Sequence, residues 1–191
     1  MQYVDAVVGG TFSATSYIIR INEECWLVDC GDYSALIGHL TTPVKGILLT
    51  HGHFDHIRGL NELLIDHPLA KVYTNRAGRE MLMDARKNLS HYHDSDFTIG
   101  NPSLIEIVND RDMVYLGDKR FAQAVYTPGH NPSCITWIID DSIFTGDSFI
   151  PGIKTVTKLP GGNKQDNIQS LDIIKNFSIG RKIYPGHKIE L

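Results

Sequence analysis

Four short apolar runs in this chain stop at turns that carry histidine or aspartate, and this pattern limits the available folds more than any other. Gly46-Ile47-Leu48-Leu49-Thr50 leads straight into His51-Gly52-His53-Phe54-Asp55-His56. The run ending at Tyr126 leads into Thr127-Pro128-Gly129-His130, Ser142-Ile143-Phe144 into Thr145-Gly146-Asp147, and Lys182-Ile183 into Tyr184-Pro185-Gly186-His187. Short apolar runs bounded by turn residues read as buried strands. Glycine permits the tight turn and close backbone approach needed at a strand end. Four strand ends that each deliver ligand-type side chains imply one sheet edge built around one site. Neutral imidazole and carboxylate are the donors that zinc and iron(II) accept, so that site is read as a metal site.

Strands also alternate with helices elsewhere. Ser16–Ile21 and Cys25–Asp29 predict a hairpin around Asn22-Glu23-Glu24. Lys71–Thr74, Phe121–Tyr126, Ser133–Ile139 and Ser142–Thr145 read as further strands, the last two joined by a tight turn at Asp140-Asp141. Helices are predicted over Tyr33–Leu40, over Ile57–Ile65 from the spacing of Ile57, Leu60, Leu63 and Leu64, over Arg76–Leu89, and over Asn163–Phe177 with Asn163 as N-cap. This alternation gives an α/β chain with sheets covered by helices.

The 191 residues are read as a single domain, residues 1–191, with apolar residues at 42% and charged residues at 21% as in soluble globular proteins. A net charge of −4 argues against nucleic acid or an anionic membrane as partner and leaves a small-molecule substrate. No apolar stretch approaches the ~20 residues that span a bilayer. Met1-Gln2-Tyr3-Val4-Asp5 lacks a secretory signal, and Cys25, Cys30 and Cys134 form an odd set without CxxC spacing, so a cytoplasmic setting is expected.

The order HGHFDH, PGH, GD, PGH resembles the metallo-β-lactamase superfamily, and the likeness runs from about Val28-Asp29-Cys30-Gly31-Asp32 to His187. Asn88-Leu89-Ser90, Gly146-Asp147-Ser148 and Leu159-Pro160-Gly161-Gly162 are most similar to its glyoxalase II-type branch, the hydroxyacylglutathione hydrolases. The resemblance implies a four-layer αββα sandwich with metals at one end of the sheets. It implies a first metal on His51, His53 and His130, a second on Asp55, His56 and His187, and Asp147 as bridge. The expected cofactors are two divalent ions, zinc first, with iron or manganese also accepted by such ligands. The implied activity is hydrolysis of a small thioester or ester by a metal-bound hydroxide, with Asp55 assisting proton transfer.

Departures from the branch bear on the substrate. Four residues follow His187, so the C-terminal helical domain of the glutathione hydrolases is expected to be lacking. Lys154-Thr155-Val156 stands where relatives carry an arginine, which makes Lys154 a candidate for an anionic substrate group and a solvated lysine the plainer reading. Asp29 is a candidate to orient a ligand imidazole. His91, Tyr92 and His93 are candidates to line the cleft, and Cys134 reads as a small buried strand residue. Two other functions stay open on the sequence. One is a persulfide dioxygenase-like oxidoreductase with a single iron on His51, His130 and Asp147. The other is a non-catalytic metal-binding module.

Overall fold

The computed structural model describes residues 3–10, 14–93 and 95–188. Two mixed sheets lie face to face. The first takes the order β1 (Tyr3–Val8), β2 (Thr15–Ile21), β3 (Glu24–Val28), β4 (Val44–Leu48), β5 (Lys71–Thr74), β6 (Ile105–Ile107). The second takes the order β11 (Lys182–Pro185), β10 (Ser142–Gly146), β9 (Ile135–Ile139), β8 (Arg120–Tyr126), β7 (Met113–Gly117). The helices are α1 (Tyr33–Leu36), α2 (Phe54–Ile57), α3 (Leu60–Asp66), α4 (Arg76–Leu82) and α5 (Lys164–Ser178). None of the helices among the described residues is long and apolar enough to cross a membrane.

Strand alternation sorts the apolar residues into layers, because successive side chains point to opposite faces. Tyr17, Ile19, Trp26 and Val28 turn inward and meet Ala124, Trp137, Ile139 and Phe144 of the second sheet. Ile18, Leu27 and Ile47 turn outward and pack under Leu36 of α1 and Leu60 and Leu63 of α3. On the far side Val125, Ile138 and Ile143 cover Ile174 of α5. The layers are therefore helix, sheet, sheet, helix. Each fully buried Leu or Ile contributes about 1.5–3 kcal/mol relative to exposure. Trp137 is wholly buried and donates its indole Nε1–H to the Leu49 carbonyl at 2.9 Å, so the middle of the core also pins the chain two residues before His51.

Strand direction explains why the four turns meet. β8 and β10 both run antiparallel to β9, so they point the same way, and β11 runs parallel to β10. Their C-terminal ends share one edge of the second sheet. The end of β4 joins that edge across the sandwich through the Ile135 N–H to Thr50 carbonyl bond at 2.7 Å. Gly146, with φ +51°, lies so close to Thr50 that a Cβ would stand 2.5 Å from the threonine Oγ1.

Three details differ from the sequence reading. The helix expected over Ile57–Ile65 is two pieces, α2 and α3, broken at Gly59, whose N–H donates to the Cys30 carbonyl at 3.0 Å. The helix expected over Arg76–Leu89 stops at Leu82. Asp84 then caps a turn through the Arg86 and Lys87 N–H groups, and Leu89 takes the left-handed conformation at φ +70°. Strands β1, β6 and β7 have no counterpart in that reading; β6 and β7 show half-exposed, broken patterns that carry a weak signal.

Candidate metal centre

Every histidine and aspartate of the four turns reaches the same place. Donor atoms of His51, His53 and His130 form one group within 4.8 Å of one another, those of His51, His56 and Asp147 a second, and those of Asp55, His56 and His187 a third. The first three imidazoles are buried, and His56 is wholly so. Asp147 stands in the middle. Its Oδ1 is 3.5 Å from His56 Nε2, and its Oδ2 is 3.7 Å from His130 Nε2 and 3.4 Å from His187 Nε2. Gly186 has no room for a side chain, since a Cβ there would run into the Asp147 carboxylate and His56 Cε1.

Hydrogen bonds fix which nitrogen of the His56 and His130 rings faces inward. His56 Nδ1 donates to Asp29 Oδ2 at 2.7 Å, which leaves Nε2 pointing at the centre. Asp29 is itself held by the Thr50 N–H at 2.7 Å and the Thr50 hydroxyl at 2.6 Å, and adopts φ +59° at the end of β3. A left-handed non-glycine residue costs about 1–3 kcal/mol and is retained where the surroundings determine it. His130 Nδ1 donates to the Val156 carbonyl at 2.8 Å, so its Nε2 also faces inward, 2.9 Å from His53 Nδ1. His51 Nε2, His56 Nε2 and Asp147 Oδ1 are buried without a hydrogen-bond partner. Orphaned buried polar atoms each cost about 1–3 kcal/mol, and three converging on one point fit a cation coordinated there.

The two sides of the centre differ in electrostatics. Burial, reinforced by His130, pushes the His53 imidazole down to about 3, and burial together with the neighbouring His56 and His53 rings holds His51 well below its usual range. These rings are neutral, the form of imidazole that can coordinate a metal. On the other side burial also acts against a charged His56, but Asp55, Asp29 and Asp147 outweigh it and hold that ring well above its usual range. Hydrogen bonds to Asp147 and Asp55 raise His187 to about 9. Burial opposes a charged Asp147, yet the His187 and His56 imidazoles beside it keep its carboxyl well below the ordinary carboxylate range.

This donor set, at the ends of two helix-covered sheets, has counterparts among known proteins. The family described as "Metallo-beta-lactamase superfamily" matches residues 9–187. The chain belongs to the metallo-β-lactamase superfamily. It is 28% identical over 152 residues to the "Probable polyketide biosynthesis zinc-dependent hydrolase PksB" of Bacillus subtilis (strain 168), covering 79% of this chain and 60% of that protein. It is 29% identical over 186 residues to a hydroxyacylglutathione hydrolase of Hahella chejuensis (strain KCTC 2396), covering 92% of this chain and 63% of the relative. The chain thus spans less than two thirds of the length of these curated relatives. Among solved structures it resembles TTHA1623 in a di-iron-bound form, with a TM-score of 0.82 at 22% identity over 97% of this chain and 92% of that one, a likeness of fold.

A cleft of about 490 Å³ opens at the strand ends, with His53, Asp55, His130, Asp147 and His187 on its floor and Phe54, Leu89, His93 and Leu159 on its walls. His93 lies against Phe54 with ring centres 5.2 Å apart, whereas His91 turns away to Asp96 at 3.1 Å and Tyr92 is exposed. Lys154 is exposed. It lines a small recess with His130 and Asp147 but not the main cleft. Cys134 is buried, its thiol pushed up to about 12 by burial. Asn131, whose amide lies 3.3 Å from His53 Nε2, and the Val156 carbonyl were not singled out in the sequence. Asn131 directly follows His130 and could have been read from that position; a backbone carbonyl leaves no residue-type signal.

Proposed function

We propose that the chain is a metal-dependent hydrolase that cleaves a small thioester or ester, with two divalent ions held at the strand ends. His51, His53 and His130 would hold one ion, Asp55, His56 and His187 the other, and Asp147 would bridge them. The observation that carries this reading is the Asp147 carboxylate standing between the two sets while His51 Nε2, His56 Nε2 and Asp147 Oδ1 remain buried and unpartnered. When bound, such ions lower the pKa of coordinated water to about 7 and polarise a carbonyl oxygen.

The chain's own residues do the rest. Val156 and Asp29 hold His130 and His56 in the tautomers that turn Nε2 inward. Asp55 Oδ2, 3.2 Å from His187 Nε2 and partly exposed to the cleft, is placed to take up a proton released at the centre. Phe54 and Leu159 give the cleft apolar walls that keep water from the carbonyl. The cleft volume suits a small molecule. A thioester is favoured over an ester by the likeness to a hydroxyacylglutathione hydrolase, and zinc over iron by the relative described as zinc-dependent.

The test is turnover of hydroxyacyl thioesters and simple esters by the metal-loaded protein, before and after chelation. Thioester cleavage that disappears on chelation and returns with zinc is expected. Failure to cleave any thioester, ester or lactam of a broad panel would remove the hydrolase reading and favour a metal-binding module.

A further inference from the structure

A larger cavity lies on the other side of the segment that holds His130. It measures about 700 Å³, within the ~300–1,000 Å³ range of small-molecule sites. The segment Ile153–Lys158 forms one wall and α5 the other. Ile153, Ile168 and Leu171 supply apolar surface, and Ile153 and Ile168 remain 51% and 48% exposed instead of joining the core. Three lysines, Lys154, Lys158 and Lys164, stand around it, and no acidic side chain lines it among the described residues.

That sign segregation needs a cause in a chain whose net charge is −4. Lys164 is also the first residue of α5, where the helix dipole favours an acid over a cation. An apolar floor ringed by like charges is complementary to an amphipathic anion. The cavity also adjoins the recess beside the metal centre across a shared wall. Ile153, Lys154, Thr155 and Val156 line both this cavity and the recess beside His130 and Asp147. The shared wall is tied down by the Thr155 hydroxyl donating to the Ser148 carbonyl at 3.1 Å and by His130 donating to Val156.

We propose that the cavity between Ile153–Lys158 and α5 is a second subsite, which takes an apolar arm ending in a carboxylate or phosphate while the scissile carbonyl lies at the strand ends. This rests on the hydrolase reading and narrows it: the preferred substrate is an acidic, amphipathic thioester or ester. The anionic arm belongs either to the acyl group or to the thiol, and the test separates the two.

Two pairs of thioesters decide it. In the first pair the thiol is N-acetylcysteamine and the acyl group is octanoyl or suberoyl, equal in length and differing in the terminal carboxylate. In the second the acyl group is constant and the thiol is octanethiol or 8-mercaptooctanoic acid. The readout is the ratio of kcat/KM, charged over neutral, in wild type and in the double variant K158E/K164E, both positions being exposed at the surface. One pair is expected to show a ratio that favours the charged member, falls at least about tenfold in the variant, and declines in wild type between about 0.05 M and 0.5 M salt as the lysines are screened. The pair that responds names the side of the bond that carries the arm. Ratios that match between wild type and variant in both pairs overturn the subsite and leave the hydrolase reading intact. No turnover of these four while other thioesters or esters are cleaved overturns the subsite alone; no turnover of any thioester, ester or lactam overturns the hydrolase reading, and the subsite with it.

Discussion

The two halves of the donor cluster use the same side chain in opposite ways. On one side His51 and His53 sit among other imidazoles, and burial keeps them neutral, His53 down to about 3. On the other, His56 and His187 face Asp55, Asp147 and Asp29, and His187 is raised to about 9. Distances differ little between the halves; carboxylates make the difference. The all-imidazole half is ready to accept a cation as it stands. The acid-rich half holds protons where a cation would go, so binding there exchanges charge for charge.

The largest effect should come from the residue common to both halves. Asp147→Ala is expected to lower metal content in both and to reduce kcat/KM by more than about 100-fold, beyond the cost of losing an outer hydrogen-bond partner. Retained activity with two bound ions would show that the halves do not share it. Asp29→Ala should act on one half only. Metal affinity or activity should fall about 10–100-fold, with loss of the ion held by His56, while the His51–His53–His130 group keeps its own. Equal loss from both halves would erase the distinction.

A smaller effect sharpens the contrast. Loading zinc into chelated protein near pH 7.5 should release protons, since His56 and His187 must give them up, and His187→Ala should release fewer. Calorimetric titration in two buffers of different ionisation heat reads this directly; identical proton release in the variant would contradict the assignment. The smallest effect is on the metal-free fold. His187 has a raised folded pKa, so its contribution is complete below about 6.5 and is lost as pH rises through about 9. His53 has a depressed one, so its contribution is complete above about 6.5 and is lost as pH falls towards about 3. Urea denaturation of chelated protein should therefore show a stability maximum near pH 6.5. A steady rise or fall from pH 5 to pH 9 would mean that the halves do not oppose each other.

The same contrast explains what could be read from the sequence. Residues that end strands are legible, because an apolar run and a glycine turn mark each one, and His51, His53, Asp55, His56, His130, Asp147 and His187 all meet in space. The αββα layering followed from the family likeness and from strands separated by helices; which face each of Tyr17, Ile18 and Ile19 would take was not legible, since all three are apolar and buried. Supports that act through the backbone were not legible. The Val156 carbonyl that orients His130 has no residue signature, and the break at Gly59 depends on Cys30, which is distant in the chain. Asp29 was legible as a support, though its left-handed backbone was not. Lys154, singled out for an anionic group, lies away from the main cleft and beside the second cavity.

Metal content per chain bears most directly on the central claim of two cooperating halves. It should be measured by elemental analysis on protein purified without added metal or chelator. About two divalent ions per chain, zinc or zinc with iron, is the expected result, with Asp147→Ala losing both. A single iron per chain with no second ion, unchanged when His187 is replaced by alanine, would contradict it and point to oxygen chemistry at a mononuclear site.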